Sequence, residues 1–200
     1  MFKLPLAAWL LLFTPAWATP CDLTAPGALL FHLKAALARR QLSLLVIAPI
    51  GTPDDSLPHR IRASLQAQRP NLSIDLDTLD NSGQSVSDML PDVATRLAQR
   101  PVALVVWQAG TAETFRNASA ASIGESLADA ARLVANYNAD LLLIDPDPTP
   151  SLDAATDFPL VLAGLAQSAN HPGIALYSQH SLHAPATCIS HGIAYLIAGS

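Results

Sequence analysis

The sequence predicts an α/β protein, a three-layer α/β/α sandwich around a five-stranded parallel sheet. Three observations carry this. Apolar, mostly uncharged runs recur at Leu42–Ala48, Val102–Trp107, Asp140–Ile144 and Ile174–Tyr177, the pattern of strands buried on both faces. Helical segments with apolar stripes separate them, and strict strand–helix alternation calls for a parallel sheet covered on both sides. One segment, Leu72–Thr78, instead alternates Leu72, Ile74 and Leu76 with Ser73, Asp75 and Asp77, which suits a half-exposed strand at a sheet edge. Right-handed crossovers leave few topologies, and with that strand outermost the order 2-1-3-4-5 is natural.

The elements follow in order. Met1-Phe2-Lys3 is a short positive start, Leu4–Trp17 an apolar stretch, and Ala16-Trp17-Ala18 a small-x-small cleavage site. Residues 1–18 read as a secretory signal peptide, which puts the mature protein outside the cell or in the periplasm. A retained membrane anchor is the rival reading, and the short apolar stretch disfavours it. A lipoprotein would use Cys21, but Pro20 is a poor neighbour for that processing. Residues 19–200 then form one domain, long enough to bury a core. Thr24 is expected to cap a helix through Ala25-Pro26, with Leu29, Leu30, Leu33 and Leu37 on one face. Leu42–Ala48 is the first strand and Pro49–Asp55 a loop. Leu57-Pro58 opens a helix with Ile61 and Leu65 inward. The edge strand leads into the turn cluster Asp80–Gln84. Ser87 is expected to precede a helix to about Gln99, striped by Met89, Leu90, Val93 and Leu97. The central strand ends in Gln108–Glu113, a loop of small and polar residues. Ser122-x-x-Glu125 reads as a capping box before a helix over Ile123–Tyr137. The fourth strand is followed by the Pro-rich Asp145–Pro150, a helix over Phe158–Ala169, the fifth strand, a loop over His180–Ala186 and a last helix over Thr187–Ala198.

Composition narrows the function. The formal charge is −5 and becomes −6 when the leader takes Lys3 with it. The 11 basic residues are scattered, which disfavours nucleic acid as a partner. No second apolar run approaches membrane length, so no stable span is expected after processing. Cys21 and Cys188 are the only cysteines. In an oxidising compartment such a pair reads as a disulfide joining the two ends of the mature chain; two free buried thiols are the alternative. No cofactor or metal site is expected.

Pro101–Thr114, PVALVVWQAGTAET, resembles the SGNH (GDSL-type) ester hydrolases, and most of all bacterial secreted members with Trp-Gln-x-Gly-Thr-Asn after the third strand. The Leu57–Leu65 run, Asp145-Pro146 and the Cys188–Ala194 run are similar to the family too, and its strand order is 2-1-3-4-5. The resemblance implies an ester hydrolase with a Ser nucleophile after the first strand, an oxyanion pocket and an Asp-x-x-His before the last helix. This sequence departs at each point. Thr52 falls at the Ser position when aligned from the strand, and Pro53 does when aligned on Gly51. The favoured reading of Thr52 is a turn residue. Gly83, in Asn81-Ser82-Gly83, matches the glycine whose N–H faces the oxyanion, or serves only a positive-φ turn. Ala112 replaces the oxyanion Asn, and Glu113 beside it adds negative charge or points to solvent. No Asp-x-x-His occurs in Ser178–Ser200. His183 and His180 lie in the preceding loop; they are candidates for the catalytic pair, or surface-loop residues. His-x-x-His alone is a weak metal pattern.

The preferred reading is a secreted SGNH-like protein that has lost its catalytic constellation and keeps a crevice for a small-molecule, acyl or glycan ligand. The alternatives are a working esterase or acetyl-glycan hydrolase with a rebuilt site, and a structural or partner-binding envelope protein.

Overall fold

In the computed structural model of the protein, residues 30–49, 51, 56–116, 118–146, 158–168 and 174–177 are described. The elements are α1 (Phe31–Ala38), β1 (Gln41–Ala48), α2 (Leu57–Gln68), β2 (Ser73–Asp80), α3 (Val86–Gln99), β3 (Leu104–Gln108), α4 (Thr111–Phe115), α5 (Ala120–Asn136), β4 (Asp140–Ile144), α6 (Phe158–Ser168) and β5 (Ile174–Tyr177). The five strands are all parallel and ordered β2-β1-β3-β4-β5, the order expected with the polar segment at the edge.

The strand pleat sorts the core into two layers. Leu42, Leu44 and Val46 of β1, with Leu104, Val106 and Leu142, face α1 and α2, where Leu33, Leu37, Ile61 and Leu65 meet them. The alternate residues Leu45, Ile47, Val105, Trp107 and Leu143 face α3, α5 and α6, against Met89, Val93, Leu127, Val134 and Val161. A strand buried on both faces has no room for a charge, which is why these runs are legible from composition alone. Among the described residues β2 pairs only on one side, along its whole length from Gln41↔Ser73 to Ala48↔Asp80. Its residues are half-buried or exposed. Ion pairs of Arg96 with Asp77 (3.0 Å) and of Arg100 with Asp75 and Asp77 tie it to α3 and its C-terminal end.

Several boundaries differ from the sequence expectation. Helix α1 begins at Phe31 with Leu30 as its N-cap; Thr24, Ala25 and Pro26 lie outside the described residues. β2 runs on through Asp80, so the turn begins later than expected. β3 begins at Leu104 rather than Val102, and Gln108 belongs to it. Helix α3 is capped by Ser85 and not Ser87: Ser85 Oγ accepts the Asp88 N–H at 3.3 Å, and Asp88 Oδ2 accepts the Ser85 N–H at 3.0 Å. Helix α5 is capped by Ser119, whose Oγ accepts the Ser122 N–H at 3.1 Å. Ser122 is therefore inside the first turn, and its pairing with Glu125 is not the cap. The last helix expected over Thr187–Ala198 lies outside the described residues. Among the described residues no helix is long and apolar enough to cross a membrane.

Candidate functional site

Ligands of open parallel α/β sheets sit beyond the carboxyl ends of the strands. Here β1, β2 and β3 end side by side, with Ile47 level with Leu79 and Trp107. The loop after β2 is an Asx-type turn: Asp80 Oδ1 accepts from the Ser82 N–H at 2.9 Å and the Ser82 hydroxyl at 2.6 Å, and Asn81 O accepts the Gln84 N–H at 3.0 Å. The turn closes at Gly83 with φ +70°, a left-handed conformation that favours glycine.

The segment after β3 is helical rather than a loop. Ala109 N–H donates to Ile144 O at 2.9 Å, prolonging the β3–β4 ladder by one bond. Gly110 then turns the chain at φ +111°, and a Cβ there would lie 2.9 Å from Val161 Cγ1 and 3.1 Å from Pro146 Cγ. Glycine is required by both the dihedral and the close approach. Thr114 holds the turn by donating its N–H (3.0 Å) and its hydroxyl (2.8 Å) to Gly110 O.

Glu113 does not point to solvent. It is 5% exposed, and its carboxylate accepts the Val86 N–H at 2.6 Å and the Gly110 N–H at 3.2 Å. Both are orphan donors at helix starts, where a negative charge is favoured. One side chain thus fastens the β3–α4 turn to the first residue of α3. Arg116, just past α4, makes a second fastening. It donates to Gly83 O at 2.9 Å, to Ser85 Oγ at 3.4 Å and to the Asp88 carboxylate. The Ser85 N–H, the Ser85 hydroxyl and Arg116, in that order, lower the Asp88 pKa from 3.8 to about 2.

These two loops enclose a pocket of about 30 Å³ whose lining includes Pro49, Asn81, Gly83, Trp107, Gln108 and Ala112. Gly83 and Ala112, identified separately in the sequence, therefore meet on one cavity. Ala112 is 7% exposed and presents a methyl group. Asn81 is buried and donates from Nδ2 to Gln108 O at 2.7 Å. Among the described residues its Oδ1 is buried with no hydrogen-bond partner. Thr52, His180, His183, Cys21 and Cys188 lie outside the described residues. Among the described residues no three His, Cys, Asp or Glu side chains converge as a metal site. A larger groove, about 960 Å³, lies at the opposite, amino ends of the strands, between Phe31, Arg39, Ser73, Arg100 and Tyr137.

Sequence reasoning missed the roles of Glu113 and Arg116. The spacing Gly110-x-x-Glu113 is a helix-start signal, but the stretch is short and rich in small residues, so it reads as loop.

The fold matches known structures. An alpha/beta hydrolase enzyme from the metagenome of Lake Arreo, Spain, superposes with a TM-score of 0.61 at 13% identity, covering 79% of this chain and 95% of that one. The family 3 carbohydrate esterase of Clostridium thermocellum gives 0.60 at 14% identity, covering 78% and 94%. TesA gives 0.58 at 19% identity, covering 67% and 76%. No curated protein matches the sequence. The family model described as the Non-GDSL lipase-like family matches residues 16–184. The chain belongs to that family, with the five-stranded fold of the SGNH/GDSL-type hydrolases.

Proposed function

We propose that this is an exported SGNH-type protein that has lost ester hydrolysis and uses its crevice to bind a small-molecule ligand, an acyl or glycan group. The observation that carries this reading is Ala112. Its buried methyl group lines the crevice pocket where the resemblance calls for an Asn donor. Losing one oxyanion donor typically lowers turnover about 100- to 1000-fold. The sequence adds two further losses, the Ser after β1 and the Asp-x-x-His before the last helix.

The test is hydrolysis of short-chain nitrophenyl esters and acetylated sugars by the mature protein, beside Thr52→Ala and His183→Ala. Turnover at background in all three is expected. Turnover that either substitution abolishes would sink the reading and establish a rebuilt esterase. Ala112→Asn extends the test. Restoring one donor without a nucleophile should leave turnover at background. Export is checked by the mature N-terminus, expected at Thr19.

A further inference from the structure

The charges of this chain are sorted to opposite ends of the sheet. The connections into β1, β2 and β3 carry Arg39-Arg40, Arg69 and Arg100, and Tyr137–Ala139 before β4 is uncharged. The segments that follow β1 and β4 carry instead Asp54, Asp55, Asp145, Asp147, Asp153 and Asp157, with no Lys or Arg among residues 49–56 and 145–157. At the amino end the described carboxylates are engaged. Asp75 pairs with Arg100, Asp77 with Arg96 and Arg100, and Asp140 is buried and accepts the Leu33 N–H. Lys34, Arg39 and Arg40 are exposed, and among the described residues none of them has an ion-pair partner. A cation at a helix C-terminus complements the helix dipole. That accounts for Arg39, Arg69 and Arg100, the C-cap residues of α1, α2 and α3. It does not account for Lys34 or Arg40, nor for Phe31, which is 71% exposed at the start of α1.

Helix α1 spans this end of the sheet. Its Leu33 N–H meets Asp140, the first residue of β4, and its C-cap Arg39 stands just before β1. Phe31, Ala35 and Arg39, four apart and so on one helix face, line the groove of about 960 Å³ together with Tyr137. Aromatic rings beside basic side chains on an exposed surface helix suit an anionic bilayer, with the rings at headgroup level and the cations against lipid phosphates. We propose that the amino end of the sheet, centred on α1, docks on an anionic phospholipid surface. The direction of the chain favours a bilayer over an acidic protein as the occupant. Residues 19–29 separate the leader from α1 and reach at most about 40 Å when fully extended, so this end emerges beside the membrane on export. The docking goes beyond the crevice reading and shares with it only the export. It leaves the crevice, at the other end of the strands, turned away from the lipid.

The experiment is co-sedimentation of the mature protein with phosphatidylglycerol vesicles and, separately, with phosphatidylcholine vesicles. Binding is expected on the anionic vesicles alone and should fall as added salt screens the charges. Arg40→Ser should weaken it about 5-fold, and Arg39→Ser with Arg40→Ser about 30-fold. Arg40→Lys keeps the charge and should bind as the parent does. Arg62→Ser makes the same charge change on α2 and should leave binding unaltered. Phe31→Ser should weaken binding at low and at raised salt alike. Equal binding to both kinds of vesicle overturns the proposal, as does binding to neither. A loss in Arg62→Ser as large as in Arg40→Ser would show net charge at work rather than this face, and also overturns it. Retention on immobilised polyglutamate without vesicle binding would make the occupant an acidic polypeptide and overturns it too. The ester assay reads the crevice alone, so the two readings stand or fall separately.

Discussion

At the scale of single residues, Glu113 and Gly110 decide whether the crevice exists. Glu113→Ala leaves the N–H groups of Val86 and Gly110 buried without their acceptor, so it should destabilise the fold by about 3 kcal/mol, read as a lower urea midpoint. Glu113→Gln should lose less, because the amide oxygen keeps one of the two bonds. Gly110→Ala forces a Cβ against Val161 and Pro146 at φ +111° and should destabilise by about 1–3 kcal/mol. The sequence marks Gly110 and Ala112 plainly, since both stand in the motif that carries the family resemblance. It says less about Glu113. A carboxylate next to small residues looks like surface until the amide groups it serves, one of them 27 positions away, are brought to it.

Among the elements, α1 is the one held from a distance. Its N-cap, Leu30, has no side chain able to accept a bond. Asp140, the first residue of β4, supplies the acceptor instead, taking the Leu33 N–H at 2.8 Å. Burial raises the Asp140 pKa above 3.8, partly offset by the Leu33 amide. A raised folded pKa means the native state holds the proton more tightly than the unfolded chain. The contribution is full below pH 3.8 and is lost as pH rises through the folded value. Asp140→Asn keeps an acceptor without a charge, so at pH 7 it should be at least as stable as the parent. Its advantage should vanish on acidification. Asp140→Ala, which strands the Leu33 N–H, should lose about 1–3 kcal/mol. Asp88 behaves oppositely. Its lowered pKa gives a contribution present above pH 3.8 and lost as pH falls toward 2, so the parent's advantage over Asp88→Asn in urea midpoint should disappear there. The buried strands were legible as elements because composition alone excludes water from them. The caps were not: clustered serines compete locally, and the cap of α1 lies 107 residues away from the amide it serves.

For the whole molecule, the sheet order agrees with one polar edge strand and a set of apolar ones, while the crevice depends on Glu113 reaching the Val86 amide across 27 positions, something no spacing encodes. The proposed Cys21–Cys188 link would close nearly the entire mature chain. Thiol titration of the unfolded, unreduced protein should find no free thiol, and reduction should lower stability by up to about 4–5 kcal/mol. The open side of β2 has a consequence of another kind. An unpaired strand edge is a template on which a second chain can add. Here the edge strand carries exposed Asp75 and half-buried Asp77 at alternate positions, both engaged by arginines at α3, so a second chain adding there would meet charged side chains already held in ion pairs. Among the described residues, charged side chains and not a further paired strand mark this end of the sheet. Asp75→Val should turn that boundary into a growth surface, and light scattering of concentrated protein should rise with time in the variant and stay flat in the parent.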